Sequence, residues 1–404
     1  MIEKNIQNRL NNTISILGDL VAFSVLGGES NLSIAEYIST TLQNNNIDYH
    51  QVFNSSEDKV SIHCRIGPEV DGGIILSGHM DVVPTKGQRW SKPDFKLTQE
   101  DHKLYARGTS DMKGFLACCL AMVPHLKELK LKKPIYLAFS YDEEVGCLAS
   151  EQLVSSIKSA YKEQPSFAVI GEPSLMQTVN GEKGAAFFKT TVYSSAAHSS
   201  EVRKSISAIE EATYLIQWLL GKMDDFIEQQ DFDNRFEPPY STIHVGTING
   251  GSAVNIVADQ CEFAWDVRNI PSDCIQEILD SFKEFCKKKI AEKQETVPNF
   301  KIKTSKQFSI VPSLDTSENS EIVRMVNSFN GNESTSAVSF ASEAGFFSKA
   351  GFETVVCGPG SMDQGHRADE FIEVNELKKC LSFLERLSDW AKTGNEANMS
   401  YEKI

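Results

Sequence analysis

Apolar and polar positions follow two rhythms along this chain, and the change of rhythm divides it. Apolar residues recur at helical spacing over 5–20 and again over 31–44, where Ser30-Asn31 offers an N-cap. Residues 59–66 alternate as a half-buried strand does, and the apolar run in 72–78 reads as a buried strand. A helix is predicted over 115–129, then buried strands over 134–141 (PIYLAFSY) and 166–171 (SFAVIG). Strands spaced by helices predict an α/β unit: a mostly parallel sheet with helices on both faces.

From Gly184 the order is different. Strands are expected over 185–194, 242–248, 257–267 and 300–310, with helices over 207–220 and 275–291. That β-α-β-β-α-β sequence is the ferredoxin-like arrangement of an α+β domain. After Ser313 the earlier rhythm returns, with a helix over 320–329, a buried strand over 353–357 and a closing helix over 377–390. The expected organisation is a first domain in two parts, 1–182 and 312–404, with a second domain, 183–311, inserted between them.

Composition is that of a folded chain, since 41% hydrophobic and 24% charged residues leave no reason to expect disorder. The formal net charge of -15, with no basic stripe to offset it, excludes nucleic acid and anionic membrane as expected partners. The longest apolar run, Phe115 to Val123, is too short to cross a bilayer. The polar, amphipathic opening MIEKNIQNRLNNT sets cytoplasmic as the expected location. Nine cysteines, an odd number without a C-x-x-C pair, support neither a disulfide framework nor a cysteine zinc site; most read as small buried hydrophobes.

Chemistry gathers at the ends of the predicted strands. SGHMDVVP delivers His79 and Asp81 just past one strand, and Asp111 sits in the turn of RGTSDMKG before a helix. Asp142-Glu143-Glu144 follows PIYLAFSY, Glu172 follows SFAVIG, and His366 lies in the glycine-rich loop GPGSMDQGHRADEF. Taken alone, the acidic triplet is more commonly a solvated surface turn. Five loops that each supply His, Asp or Glu at one sheet edge are hard to explain by packing, because buried like charges repel and desolvate at a cost. Two histidines and three carboxylates (His79, Asp111, Glu144, Glu172, His366) suffice for two divalent ions if one carboxylate bridges. Zinc suits this mixed set best, and cobalt or manganese would fit. Glu143 is then spare to act as general base, and Asp81 is expected to hold the second nitrogen of the His79 imidazole. GPGSMDQG is not a phosphate loop, since it lacks the G-x-x-x-x-G-K-[ST] pattern.

The series H-M-D, D-M-K-G, D-E-E, G-E-P and G-H-R-x-D-E resembles the co-catalytic zinc aminoacylase and carboxypeptidase family over nearly the whole chain. VIGEPS, KGAAFFKTTV, AAHSS, HVGTINGGSAVNIV, ASEAG and VVCGPGSMDQGH are most similar to its acetylornithine deacetylase branch. The resemblance implies a zinc-peptidase-like catalytic domain, an inserted lid and dimerisation domain, and a homodimer. It implies hydrolysis of a small N-acyl amino acid, N2-acetyl-L-ornithine giving L-ornithine and acetate in arginine biosynthesis. Desuccinylation of succinyl-diaminopimelate, dipeptide cleavage and a non-catalytic binder are the alternatives. By the same resemblance Asp111 bridges the ions, Glu144 and His366 complete one site, and His79 and Glu172 the other. His198 reaches the partner subunit's active site to stabilise the oxyanion, and Asn255 and Arg268 hold the substrate carboxylate. Without the resemblance, His198 reads as a solvated turn histidine and Arg268 as a strand salt bridge. Ala258, Ser342 and Ala368 depart from the usual family residues, none of them at a ligand position. Glu343, beside Ser342, is expected to pair with the substrate's side-chain ammonium.

Overall fold

Strands made only of buried residues need cover on both faces, and three lie side by side at the centre of the first unit: Ile74–His79, Ile135–Ser140 and Phe167–Pro173. The computed structural model describes residues 2–394. The chain divides into two compact units, the first formed by Met1–Gly181, Leu314–Ala337 and Ser342–Ile404, the second by Glu182–Ser313 and Val338–Ala341.

In the first unit a nine-stranded sheet has four parallel strands at its heart, in the order Ile135–Ser140, Ile74–His79, Phe167–Pro173, Glu353–Gly358. The strands beside these four, Val60–Ile66 and Val179–Glu182, run antiparallel to their neighbours, so the sheet is mixed rather than parallel throughout. Successive side chains take opposite faces. Ile74, Leu76, Ile135, Leu137, Val169 and Val355 join the core formed with the helices Ile2–Ala22, Gly114–Glu128 and Val374–Thr393. The alternate face carries Ser77, whose hydroxyl meets Glu343 at the start of the helix Ala344–Lys349, beside the helix Ser150–Ala160. Asn31 stands at the N-cap position of Leu32–Asn44 but makes no capping bond. It is fully buried, and its side-chain amide instead exchanges two 2.8 Å hydrogen bonds with the main chain of Val60.

The second unit is a four-stranded antiparallel sheet ordered Thr242–Gly250, Gln260–Asn269, Gly184–Tyr193, Lys301–Lys306, with the helices Ala208–Gln229 and Ile275–Gln294. Cys261, Phe263, Trp265 and Val267 alternate inward along one strand and pack with Phe188, Leu215, Leu219, Leu279 and Phe282. The expected strand over 257–267 is two: Ile256–Val257 pairs with Ala197–His198, and the sheet strand begins at Gln260. Among the described residues no helix is long and apolar enough to cross a membrane.

Candidate metal centre

Each of the four parallel strands carries, at or beyond its C-terminal end, a residue singled out by the sequence, and the strands are neighbours, so those ends bring the residues together. His79 closes Ile74–His79, Glu143 and Glu144 follow Ile135–Ser140, Glu172 is the sixth residue of Phe167–Pro173, and His366 lies in the loop after Glu353–Gly358. Asp111 enters from the turn Thr109–Lys113, where the backbone leaves helical geometry.

Asp111 lies between the two histidines. Its Oδ1 is 3.1 Å from His79 Nε2 and its Oδ2 is 3.2 Å from His366 Nε2. Glu172 Oε1 stands 3.7 Å from His79 Nε2, and Glu144 Oε2 3.0 Å from His366 Nε2. Ligands 2.0–2.2 Å from a tetrahedral ion are about 3.3–3.6 Å apart, so these separations have the scale of coordination edges. Two groups, His79-Glu143-Glu172 and His79-Asp111-Glu144, each have potential ligand atoms within 4.8 Å of one another. Buried Oε1 atoms of both Glu144 and Glu172 have no hydrogen-bond partner, oxygens that a cation would satisfy.

Electrostatics makes the same demand. Burial, reinforced by neighbouring carboxylates and opposed by His79, raises Glu143 and Glu172 well above the ordinary carboxyl range; burial and Asp111 also raise Glu144. Burial works against the charged form of Asp111 too, but hydrogen bonds from His366 and His79 overcome it and hold that carboxyl low. His366 is pushed up to about 10 by its hydrogen bonds to Asp111 and Glu144. Four clustered carboxylates facing two imidazoles are deficient in positive charge, a deficit that divalent cations would fill.

The supporting residues differ from expectation at two places. The Asp81 carboxylate does not hold the His79 ring: Nδ1 lies 2.9 Å from the Asp81 carbonyl oxygen and 3.8 Å from Oδ1. The chain turns immediately after the strand, which brings the main-chain carbonyl to the imidazole. The carboxylate is left to accept the N–H groups of Glu143 and Glu144, each at 3.2 Å. Asp81 therefore orients the acidic loop as well as the histidine. Glu343 is the second correction. It is 0% exposed, and its carboxylate accepts the Ser77 hydroxyl at 2.6 Å and that of Ser150 at 3.4 Å. A carboxylate enclosed by strand and helix hydroxyls has no open face for a substrate ammonium.

Sequence reasoning missed two partners of the acidic loop. Asp142, in the left-handed region at φ 54°, accepts the N–H of Gly28 at 2.8 Å and forms a buried ion pair with Lys59. The Cys147 thiol donates to Glu143 Oε1 at 3.2 Å, so this cysteine is more than a small hydrophobe. The partners of Asp142, Gly28 and Lys59, lie far away in the chain and leave no local signal, while Cys147 is only four residues from Glu143 but sits in an apolar stretch that reads as packing.

His198, Asn255 and Arg268 belong to the second unit. The Ala197–His198 bridge to Ile256–Val257 sets His198 opposite Ile256, next to Asn255. Both are exposed. His198 Nδ1 accepts the Ser200 N–H at 3.2 Å and meets the Ser200 hydroxyl at 2.8 Å, so a neutral ring carries its proton on Nε2. Arg268 is half-buried over the Phe187 ring and holds Asp266 only loosely, at 3.5 Å.

The profile of Peptidase family M20/M25/M40 matches residues 75–389. The chain belongs to this family. It is a hydrolase, and its His, Asp and Glu cluster accords with the dimetal chemistry of that family. It is 32% identical over 323 residues to acetylornithine deacetylase of Shigella sonnei, covering 80% of this chain and 81% of the relative. With the Pasteurella multocida acetylornithine deacetylase the identity is 32% over 343 residues, 84% of this chain and 85% of that one. Among solved structures, an M20 family metallo-carboxypeptidase from Sulfolobus solfataricus is similar with a TM-score of 0.75 at 18% identity, covering 94% of this chain and 99% of the other. A tripeptidase from Staphylococcus aureus gives 0.72 at 19%, covering 95% and 98%. These two show a shared fold.

Proposed function

We propose that this M20 hydrolase removes the acetyl group from N2-acetyl-L-ornithine, giving L-ornithine and acetate. The observation that carries the reaction class is Asp111, which presents one carboxylate oxygen to each of His79 and His366, with the Glu143 carboxylate close to His79 and Glu172. The two acetylornithine deacetylase relatives at 32% identity support the substrate. His79 and Glu172 would hold one divalent ion, Glu144 and His366 the other, and Asp111 both, with zinc as the first choice and cobalt or manganese as substitutes. Such a pair supplies Lewis acidity that polarises the acyl carbonyl and lowers the pKa of a water. Glu143, raised by burial, takes the proton of the attacking water and passes it to the departing amine. Asp81 keeps Glu143 and Glu144 in register by gripping both of their amides. His198, with an Nε2 donor, would reach the active site of the partner subunit and stabilise the oxyanion there, and Asn255 and Arg268 would hold the substrate carboxylate.

The assembly we propose is a homodimer through the second unit. Thr242–Gly250 is an edge strand of its sheet. On the helix Ala208–Gln229, Ile209, Leu220 and Ile227 share one face and are 38%, 43% and 38% exposed. Nine free cysteines suit a reducing, cytoplasmic setting.

Ornithine release from N2-acetyl-L-ornithine, with succinyl-diaminopimelate and a dipeptide beside it, tests the reading in metal-stripped and zinc-, cobalt- or manganese-reloaded protein. Metal-restored activity greatest on N2-acetyl-L-ornithine is expected. Greater activity on another substrate would keep the chemistry and overturn the substrate. Inactivity on every amide would favour a binding protein.

A further inference from the structure

One buried polar chain next to the candidate centre has no part in the reaction as described. Arg107 is 1% exposed, and its Nη1 donates to Glu370 Oε2 at 2.6 Å. The other oxygen of Glu370 accepts the N–H groups of Ser110 at 2.9 Å and Asp111 at 3.2 Å. These are amides of the turn whose backbone leaves helical geometry at Asp111, so a side chain takes the place of a helical carbonyl. In the opposite direction, Arg107 Nη2 donates to Gln88 Oε1 at 2.7 Å, and Gln88 Nε2 donates to the carbonyl of His366 at 2.7 Å. Trp90 Nε1 donates to the same Gln88 oxygen at 3.2 Å, which fixes the amide so that its NH2 faces His366.

His366 is held at φ 60°, a left-handed conformation that a residue with a Cβ adopts only when its surroundings impose it. Asp369, close by at φ 56°, accepts the N–H groups of Ser91 at 2.8 Å and Lys92 at 3.3 Å. The segment 88–92 thus grips the His366 loop twice. Arg107 and Glu370 tie that grip to the backbone of Asp111.

We propose that Gln88, Arg107 and Glu370 are positioning residues forming a clamp that sets Asp111 against His366, and so governs the affinity of the ion these two would share with Glu144. None of the three has an atom among the candidate ligands. They act through the main chain, Glu370 on Asp111 and Gln88 on His366. Gln88 reaches only one of the two histidines, so losing its arm of the clamp separates the two ions: the one at His366 is held more weakly and the one at His79 and Glu172 is unaffected. This inference rests on the two-metal reading above.

The test is calorimetric titration of metal-stripped, full-length protein with zinc, repeated with cobalt so that visible absorption reports the coordination of each ion. Gln88→Ala removes the grip on His366 at a half-buried position without emptying the core. Gln88→Glu keeps the oxygen that Arg107 and Trp90 use but has no N–H for the His366 carbonyl. Both are expected to bind one ion within about twofold of wild type and the other about 10–100-fold more weakly, the usual effect of losing an outer-shell partner. Their thermal unfolding should match wild type in the metal-free state. Wild-type affinity for both ions in either variant would overturn the clamp, as would equal weakening of both ions. Wild-type protein that fails to bind two ions would instead overturn the two-metal reading.

Discussion

Gly171 immediately precedes Glu172 on its strand, and the ring of Phe115 lies directly over it. A methyl group placed there would lie 2.1 Å from Cγ and Cδ1 of Phe115 and 2.5 Å from Cε1. Carbon atoms rest at about 3.5–4.0 Å, so a Gly171→Ala variant must open the helix–strand contact by roughly 1.5 Å. Phe115 is fully buried, the first residues of its helix follow Asp111, and both partners sit in regular elements. Overpacking of this kind costs typically about 1–3 kcal/mol, and the enclosed ring places the expected loss near 3 kcal/mol. Unfolding in urea of the metal-free protein, followed by circular dichroism, measures it without a contribution from bound ions. The companion variant Phe115→Leu should remove the clash, so the double variant should be more stable than the two single losses predict, by at least about 1 kcal/mol. The same opening displaces Glu172 from His79, and metal affinity should fall with stability. A Gly171→Ala protein with the wild-type midpoint, or strict additivity in the double variant, would refute the packing argument.

Glu143→Gln should reduce turnover by about 10²–10⁴ while metal stoichiometry by elemental analysis stays at the wild-type value, since a proton carrier is lost and no ligand is. His63, outside the ligand set, should make the fold acid-sensitive: burial, with the charge of His50, lowers it to about 3 from the ordinary 6.5. The unfolded chain then binds the extra proton between those values, so stability falls as pH drops from 6.5 towards 3, by about 1.4 kcal/mol per unit at most. Urea midpoints at pH 6.5 and 4.5 should therefore differ less in His63→Gln than in wild type. Chelation should lower the melting temperature by several degrees, and zinc should restore it, because an ion at 100 times its Kd adds about 2.7 kcal/mol.

The central strands were legible because complete burial writes itself as continuous apolar runs, in PIYLAFSY and SFAVIG above all. Strands with weaker signals were harder: Lys301–Lys306 reads KIKTSK, with a partly buried residue only at alternate positions, and it ends four residues before the apolar pattern suggests. Tyr49–Phe53 and the helix Ser150–Ala160 were not anticipated, since the first is a short, largely exposed edge strand and the second is mostly polar, and both owe their form to neighbours. The convergence of His79, Asp111, Glu144, Glu172 and His366 was foreseeable from the strand ends that carry them. What holds them was not. The partners of Asp142, Glu343 and Asn31 come from distant segments, and a sequence pattern shows a polar residue without showing where its hydrogen bonds go. Asp81 illustrates the limit well: its place two residues past His79 suggests a carboxylate on the imidazole, while the local turn puts the carbonyl there instead.

The central claim is that two ions share Asp111. Crystals of the zinc-loaded protein, with anomalous data collected on both sides of the zinc edge, test it most directly. Two peaks about 3.5–4 Å apart are expected, one Asp111 oxygen on each, His79 and Glu172 on one and Glu144 and His366 on the other. A single peak, or a pair joined by any residue other than Asp111, would contradict it.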